Sequence, residues 1–193
     1  SFAKVLLIGL TMILPVFAIS HELSRCGQAV RQTIRGAFEA NLPPDSCPVA
    51  SRLVQWLQLQ KLEKMNALSL PKIIAFFSRN PDWPLKARFQ TQAEENLKGD
   101  ENLRELGKWF EKNPPLTEKG AIFYARSLIQ AGRKNAAARV IRHAWTSLDL
   151  EGAALKSFWN EFKKYLTQED HHRRIDRLLT RENVAAACRM FPW

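Results

Sequence analysis

The amino-acid sequence predicts an all-α chain of antiparallel helix pairs stacked in series, an α-solenoid. Three observations carry this. Apolar residues recur at three- and four-residue steps along most of the chain, proline-containing breaks separate the apolar segments, and helix starts recur at a regular interval. No alternating strand pattern interrupts them. The chain has 193 residues, 46% hydrophobic and 25% charged, which excludes disordered and collagen-like classes.

The first segment, Ser1 to Ser20, has Lys4, a nearly unbroken apolar run from Val5 to Ile19, and small residues at Ala18 and Ser20. It reads as a secretory signal peptide removed after Ser20. The run is shorter than the roughly 20 residues that cross a bilayer, and Pro15 interrupts it, so no stable membrane span is expected once the signal is cleaved. Residues 21–48 then form an N-terminal helix and a proline-rich loop: Cys26, Val30, Ile34 and Phe38 recur every four residues as one apolar stripe, and Asn41 to Pro48 ends it. Export places Cys26, Cys47 and Cys188 where disulfides are allowed. Cys26 and Cys47 flank one helix and loop and are the candidate disulfide; three unpaired buried cysteines are the alternative, since spacing alone does not fix pairing.

Residues 49–193 are the repeat region. Val49, Leu53, Trp56, Leu57 and Leu62 mark one helix, and Pro71 to Arg79 marks its partner, with Ser69 as the cap and proline just inside. First helices are expected near Val49, Trp83, Thr117 and Glu151, and second helices near Ser69, Glu101, Lys134 and Glu169. Both series match an interval of about 34 residues, the mark of helix-turn-helix repeats. Phe76-Phe-Ser-Arg-Asn-Pro81 and Trp109-Phe-Glu-Lys-Asn-Pro114 are similar copies, and Leu178 to Asn183 is a fainter third. Gly132 reads as a left-handed helix end and Thr167 as an N-terminal cap. Because one helix pair cannot bury its own apolar face, Tyr124, Leu128, Val140, Ile141, Trp145, Phe158, Trp159, Phe162, Ile175, Leu178 and Leu179 are expected to form a continuous core. The last segment begins a further repeat and stops at an apolar end, so the sequence reads as truncated at its C-terminus.

Among the acids, Glu94, Glu95, Glu161, Glu169 and Asp170 are the pairs that acid–base glycan chemistry would use, and all are expected on exposed faces or caps. His171 and His172, with Asp176, are not expected to bind metal, because adjacent residues point to different helix faces. Trp56, Trp109, Trp145 and Trp159 are assigned to the core rather than to sugar stacking, and Trp83 is left open. No nucleophile elbow or phosphate-binding glycine loop occurs. No catalytic residue, metal or cofactor is expected. The net charge of +10 suits a polyanion. Its even spread and the export signal favour an anionic cell-wall polymer or membrane surface over nucleic acid, beside the plainer reading of lysine-rich solvated faces.

The stretches Leu53 to Leu59, Ile74 to Pro84 with Arg88 and Ala93-Glu94, Tyr124 to Arg133, and Ala144-Trp145 resemble a known family. It is the soluble lytic murein transglycosylases of bacteria, in their non-catalytic N-terminal superhelical region, and the likeness spans about Val49 to Met190. Asn80-Pro-Asp-Trp-Pro84 is its most distinctive part. The resemblance implies a right-handed, tetratricopeptide-like superhelical array in a periplasmic enzyme of peptidoglycan turnover. There a ring or U of helices holds a lysozyme-like domain whose glutamate, typically followed by serine, cleaves the MurNAc-GlcNAc bond to a 1,6-anhydro product. None of the glutamates here precedes serine, so no catalytic residue carries over, and the chain is expected to be inactive without a C-terminal catalytic domain. Peptidoglycan glycan strands are the partner this implies. The alternative is a free-standing periplasmic scaffold that binds proteins.

Overall fold

The computed structural model describes residues 25–36 and 47–190. The expected signal peptide, Phe38, Asn41 to Ser46 and the final three residues lie outside them. Every regular element among the described residues is helical, and there is no strand. Helix α1 covers 25–34, and α2 is Pro48–Lys64, α3 Leu70–Phe77, α4 Lys86–Glu95 and α5 Leu103–Lys112. They are followed by α6 Glu118–Gln130, α7 Lys134–Ser147, α8 Gly152–Phe162, a 3-10 turn Lys163–Tyr165, α9 Gln168–Thr180 and α10 Val184–Cys188. The contacts divide the chain into two compact units, one ending at Ala67 and one beginning at Leu68.

In the first unit, Cys26 and Cys47 are joined in a disulfide with their Cα atoms 6.0 Å apart. Ala29 and Val54 are buried, with Val30 packed against them. Thr33 is buried too, and its hydroxyl donates to the Ala29 carbonyl at 2.9 Å. The inner face of α1 therefore runs through Cys26, Ala29, Val30 and Thr33, and Ile34, expected on it, is 66% exposed. A strict four-residue step drifts around a helix of 3.6 residues per turn, which is why Ile34 turns outward. Val49, at the first turn of α2, is likewise exposed, and Ser51 and Val54 are buried in its stead.

In the second unit, α3, α5, α7 and α9 start at Leu70, Leu103, Lys134 and Gln168, close to the positions expected from local signals. Two details differ. Ser69 stands at the cap position without a side-chain hydrogen bond. Helix α4 starts at Lys86 rather than near Trp83, because Pro84 drives the residue before it out of the helical region, and Leu85 takes a left-handed conformation ahead of the first turn. Packing is between helices next to each other or one apart in the chain: α3 against α4, α4 and α5 against α6, α6 against α7, α7 against α9, and α9 against α10.

The two similar copies share a physical device. Asn80 Nδ2 donates to the Phe76 carbonyl at 2.9 Å, and Asn113 Nδ2 donates to the Trp109 carbonyl at 3.0 Å. Each asparagine thus adds a side-chain donor to a carbonyl in the last turn that its own backbone N–H also reaches. The third copy does not repeat it: the Asn183 side chain accepts from the Ala186 N–H and so opens α10, and only its backbone N–H serves the end of α9.

Helices α2, α6 and α9 end alike. After α6, Gly132 N–H donates to Ile129 and Arg133 N–H to Leu128, the double bond of a Schellman motif, and Gly132 is left-handed as expected. After α9, Glu182 N–H donates to Leu179 and Asn183 N–H to Leu178, with Glu182 at φ 59°. A side chain there is strained where glycine is not. Glu182→Gly is expected to stabilise the second unit by about 0.5–1 kcal/mol, read as a raised denaturation midpoint. A lowered midpoint would contradict it.

The core of this unit gathers Leu128, Ile141, Trp145, Phe158, Phe162 and Leu178, with Tyr124, Val140, Trp159 and Ile175 half-buried against them. Leu179 is the exception to the expected core, at 47% exposure. Leu178 fills the inward position, and a neighbour one residue on lies about 100° around the helix.

Candidate functional site

The acids divide sharply. Glu95, Glu161 and Glu169 are exposed as expected, and Glu161 pairs with Arg126 through two contacts of 2.7 Å. Glu94 is fully buried and Asp170 nearly so, contrary to expectation. Both are spent at helix starts. Asp170 Oδ2 accepts from the Thr167 N–H at 2.8 Å while the Thr167 hydroxyl caps the Asp170 N–H, a reciprocal box that opens α9.

Glu94 does the same across a longer distance in the chain. Its Oε2 accepts from the Leu116 N–H, the Thr117 N–H and the Thr117 hydroxyl at 3.0, 2.8 and 2.9 Å, and its Oε1 accepts from Gln90 Nε2 at 2.7 Å. The carboxylate therefore sits at the positive end of α6. Burial pushes its pKa up, against the donors from Gln90, Thr117 and Leu116 that pull it down. A Cβ at Gly120 would lie 2.2 Å from the Glu94 carboxylate, so only glycine leaves room for it. With its lone pairs taken and a helix pressed against it, Glu94 is a structural pin.

A buried cation balances it at the opposite kind of helix end. Arg174 on α9 is 2% exposed and donates to the carbonyls of Trp145, Leu148 and Leu150 at 2.7, 3.2 and 2.7 Å, where α7 stops. Its guanidinium lies 4.9 Å from the centroid of the Trp145 ring. Burial pulls its pKa down to about 10, which leaves it charged at neutral pH.

His171 is half-buried, with its ring edge-on to Trp145 at 5.3 Å and to Trp159 at 5.1 Å, while His172 is exposed. They do face different ways, but only one is a surface histidine. No group of three or more metal-ligating side chains forms among the described residues. Burial holds the His171 pKa below the ordinary imidazole value, with Asp170 opposing. The unfolded chain therefore takes up this proton first, so the stability His171 contributes is full above about pH 6.5 and is lost as pH falls through the folded value. His171→Phe is expected to flatten the fall in denaturation midpoint between neutral and mildly acidic pH; an unchanged slope would contradict this.

The tryptophans separate in a way the sequence only partly shows. Trp109 and Trp145 are buried and Trp56 and Trp159 half-buried; Trp83 is half-buried and packs edge-on against Phe76 at 5.8 Å. Two open grooves flank α5. One, of about 910 Å³, is bordered by Arg104, Lys108, Ser127 and Arg133. The other, of about 790 Å³, is bordered by Ile74, Phe77, Lys86, Lys108, Trp109 and Lys112. Lys86 Nζ stands 5.4 Å from the Trp109 ring centroid. Lys86, Lys108 and Lys112 make no ion pair among the described residues, whereas Glu111, which borders both grooves, is engaged by Arg133. Gly107 permits the first groove its form: a Cβ there would meet Ser127 Oγ at 2.9 Å. The spread of lysine and arginine along the sequence was legible, but their convergence on α5 was not. No signal marked Gly107 or Gly120, whose role depends on a partner helix.

Neither a family model, nor a curated protein, nor a solved structure matches the chain.

Proposed function

We propose that this chain is the non-catalytic, helical-repeat region of an exported lytic transglycosylase of peptidoglycan turnover, and that it holds anionic glycan strands along the basic grooves beside α5. The antiparallel, superhelical arrangement of its helix pairs belongs to the same proposal. The observation that carries it is the pairing of an aromatic-lined open groove with three lysines free of ion pairs, Lys86, Lys108 and Lys112. Glu105 and Glu111 also border this groove, but the lysines outnumber them and Glu111 is engaged by Arg133, and a net positive lining concentrates a polyanion. The near-regular helix starts and the repeated Asn-Pro closure support an array in which such a surface extends. Of the five acids named from the sequence, Glu94 and Asp170 are occupied in holding helix starts.

The purified chain is expected to bind soluble peptidoglycan fragments at low ionic strength, with affinity falling as salt rises, and to leave cell-wall suspensions unclarified. Absence of binding at low salt removes the polymer-contact role, and clearing by the chain alone overturns the non-catalytic one. A protein scaffold is the second reading, favoured by the exposed apolar side chains Leu116, Leu179 and Val184.

A further inference from the structure

A smaller cavity, of about 290 Å³, has a different character from the grooves. Its walls are apolar and aromatic, built by Phe110, Pro115, Tyr124 and Leu148, and the Phe110 and Tyr124 rings lie 5.4 Å apart. Two polar side chains of α7, Arg139 and His143, stand at its rim. Glu111, the acid of the lining, is engaged by Arg133. Arg139 makes no ion pair among the described residues, and the Tyr124 hydroxyl makes no hydrogen bond there. Burial and the Glu111 charge push the Tyr124 phenol pKa up while Arg133 and Arg139 pull it down, so the Arg139 cation and the hydroxyl share one neighbourhood.

A concave apolar site with a few convergent polar groups is the usual form of a small-molecule pocket, and this volume is at the small end of that range. The small volume suits one ring rather than a polymer. The free guanidinium and phenol supply the donors that a carboxylate accepts.

We propose that this pocket between α6 and α7 binds a small monocarboxylate with one aromatic ring, the ring against Phe110 and Tyr124 and the carboxylate toward Arg139. The site is separate from the glycan reading, which it neither needs nor supports.

Phenylacetate and its neutral counterpart phenylacetamide, titrated calorimetrically into the full chain, test it. Phenylacetate is expected to bind about tenfold or more tightly than the amide. Arg139→Gln, at an exposed position, should erase that preference while leaving amide affinity unchanged. Val140→Trp, which fills the pocket, should abolish binding of both. The proposal is overturned if neither probe binds, if the carboxylate preference survives in Arg139→Gln, or if Val140→Trp leaves binding intact. Self-association of the chain that Val140→Trp abolishes would assign the pocket to a second copy and overturn it equally.

Discussion

Arg174→Ala is expected to destabilise the second unit by about 3–5 kcal/mol, lowering its Tm by roughly 10 °C. The guanidinium is the donor for three carbonyls, those of Trp145, Leu148 and Leu150, in a place water reaches poorly. Alanine leaves those acceptors without it and takes away the cation over the Trp145 ring. Arg174→Lys keeps the charge but not the planar fork, so it recovers only a minor part. Arg177 provides the contrast. It reaches the Ser147 and Leu148 carbonyls and Asp149 from a more exposed position, and its removal should cost about 1 kcal/mol or less. Equal losses for the two alanine variants in denaturant unfolding would contradict the assignment of Arg174 as the buried tie between α7 and α9.

Glu94→Ala should be of similar size, about 3–5 kcal/mol, for the opposite reason in charge. It removes the acceptor from the Leu116 and Thr117 N–H groups and from the Thr117 hydroxyl, at the first turn of α6. Glu94→Gln should cost less than alanine, because one oxygen remains for the Leu116 and Thr117 donors, although its new NH2 group meets the Gln90 Nε2 donor. The two differ in pH dependence from the native chain. A carboxyl whose folded pKa lies above its unfolded value contributes most stability below the unfolded value, and loses it as pH rises through the folded one. That component is expected to vanish in Glu94→Gln, so the drop in midpoint on going up from about pH 4.5 should flatten. Gly120→Ala tests the same contact from its other side: it should destabilise, since its methyl group has no space beside the carboxylate.

The sequence names Glu94 but not its burial, and it does not mark Arg174 or Gly120. Helix starts at Glu118, Lys134 and Gln168 were legible because prolines, threonine caps and a glycine end act within a few residues. The Asn80 and Asn113 copies were legible as a repeat, though their bond to the carbonyl four residues back was not. Glu94 looked like one of an exposed pair because its partners lie more than twenty residues onward, at Leu116 and Thr117. Nothing local singles out Arg174 among the bases of its helix, and only the end of α7 makes it a buried one. Ile34 and Leu179 fail for a simpler reason: an apolar residue at the margin of a stripe falls on either side of it according to the helix that covers the face.

The most direct measurement is the affinity of soluble peptidoglycan fragments for the chain and for a variant with Lys86, Lys108 and Lys112 all changed to glutamate, compared at low ionic strength. The expected result is binding by the native chain that weakens with salt, and a loss of about a hundredfold or more in the variant, with its helical content unchanged. Equal affinity in the two would mean that the grooves beside α5 do not hold the glycan.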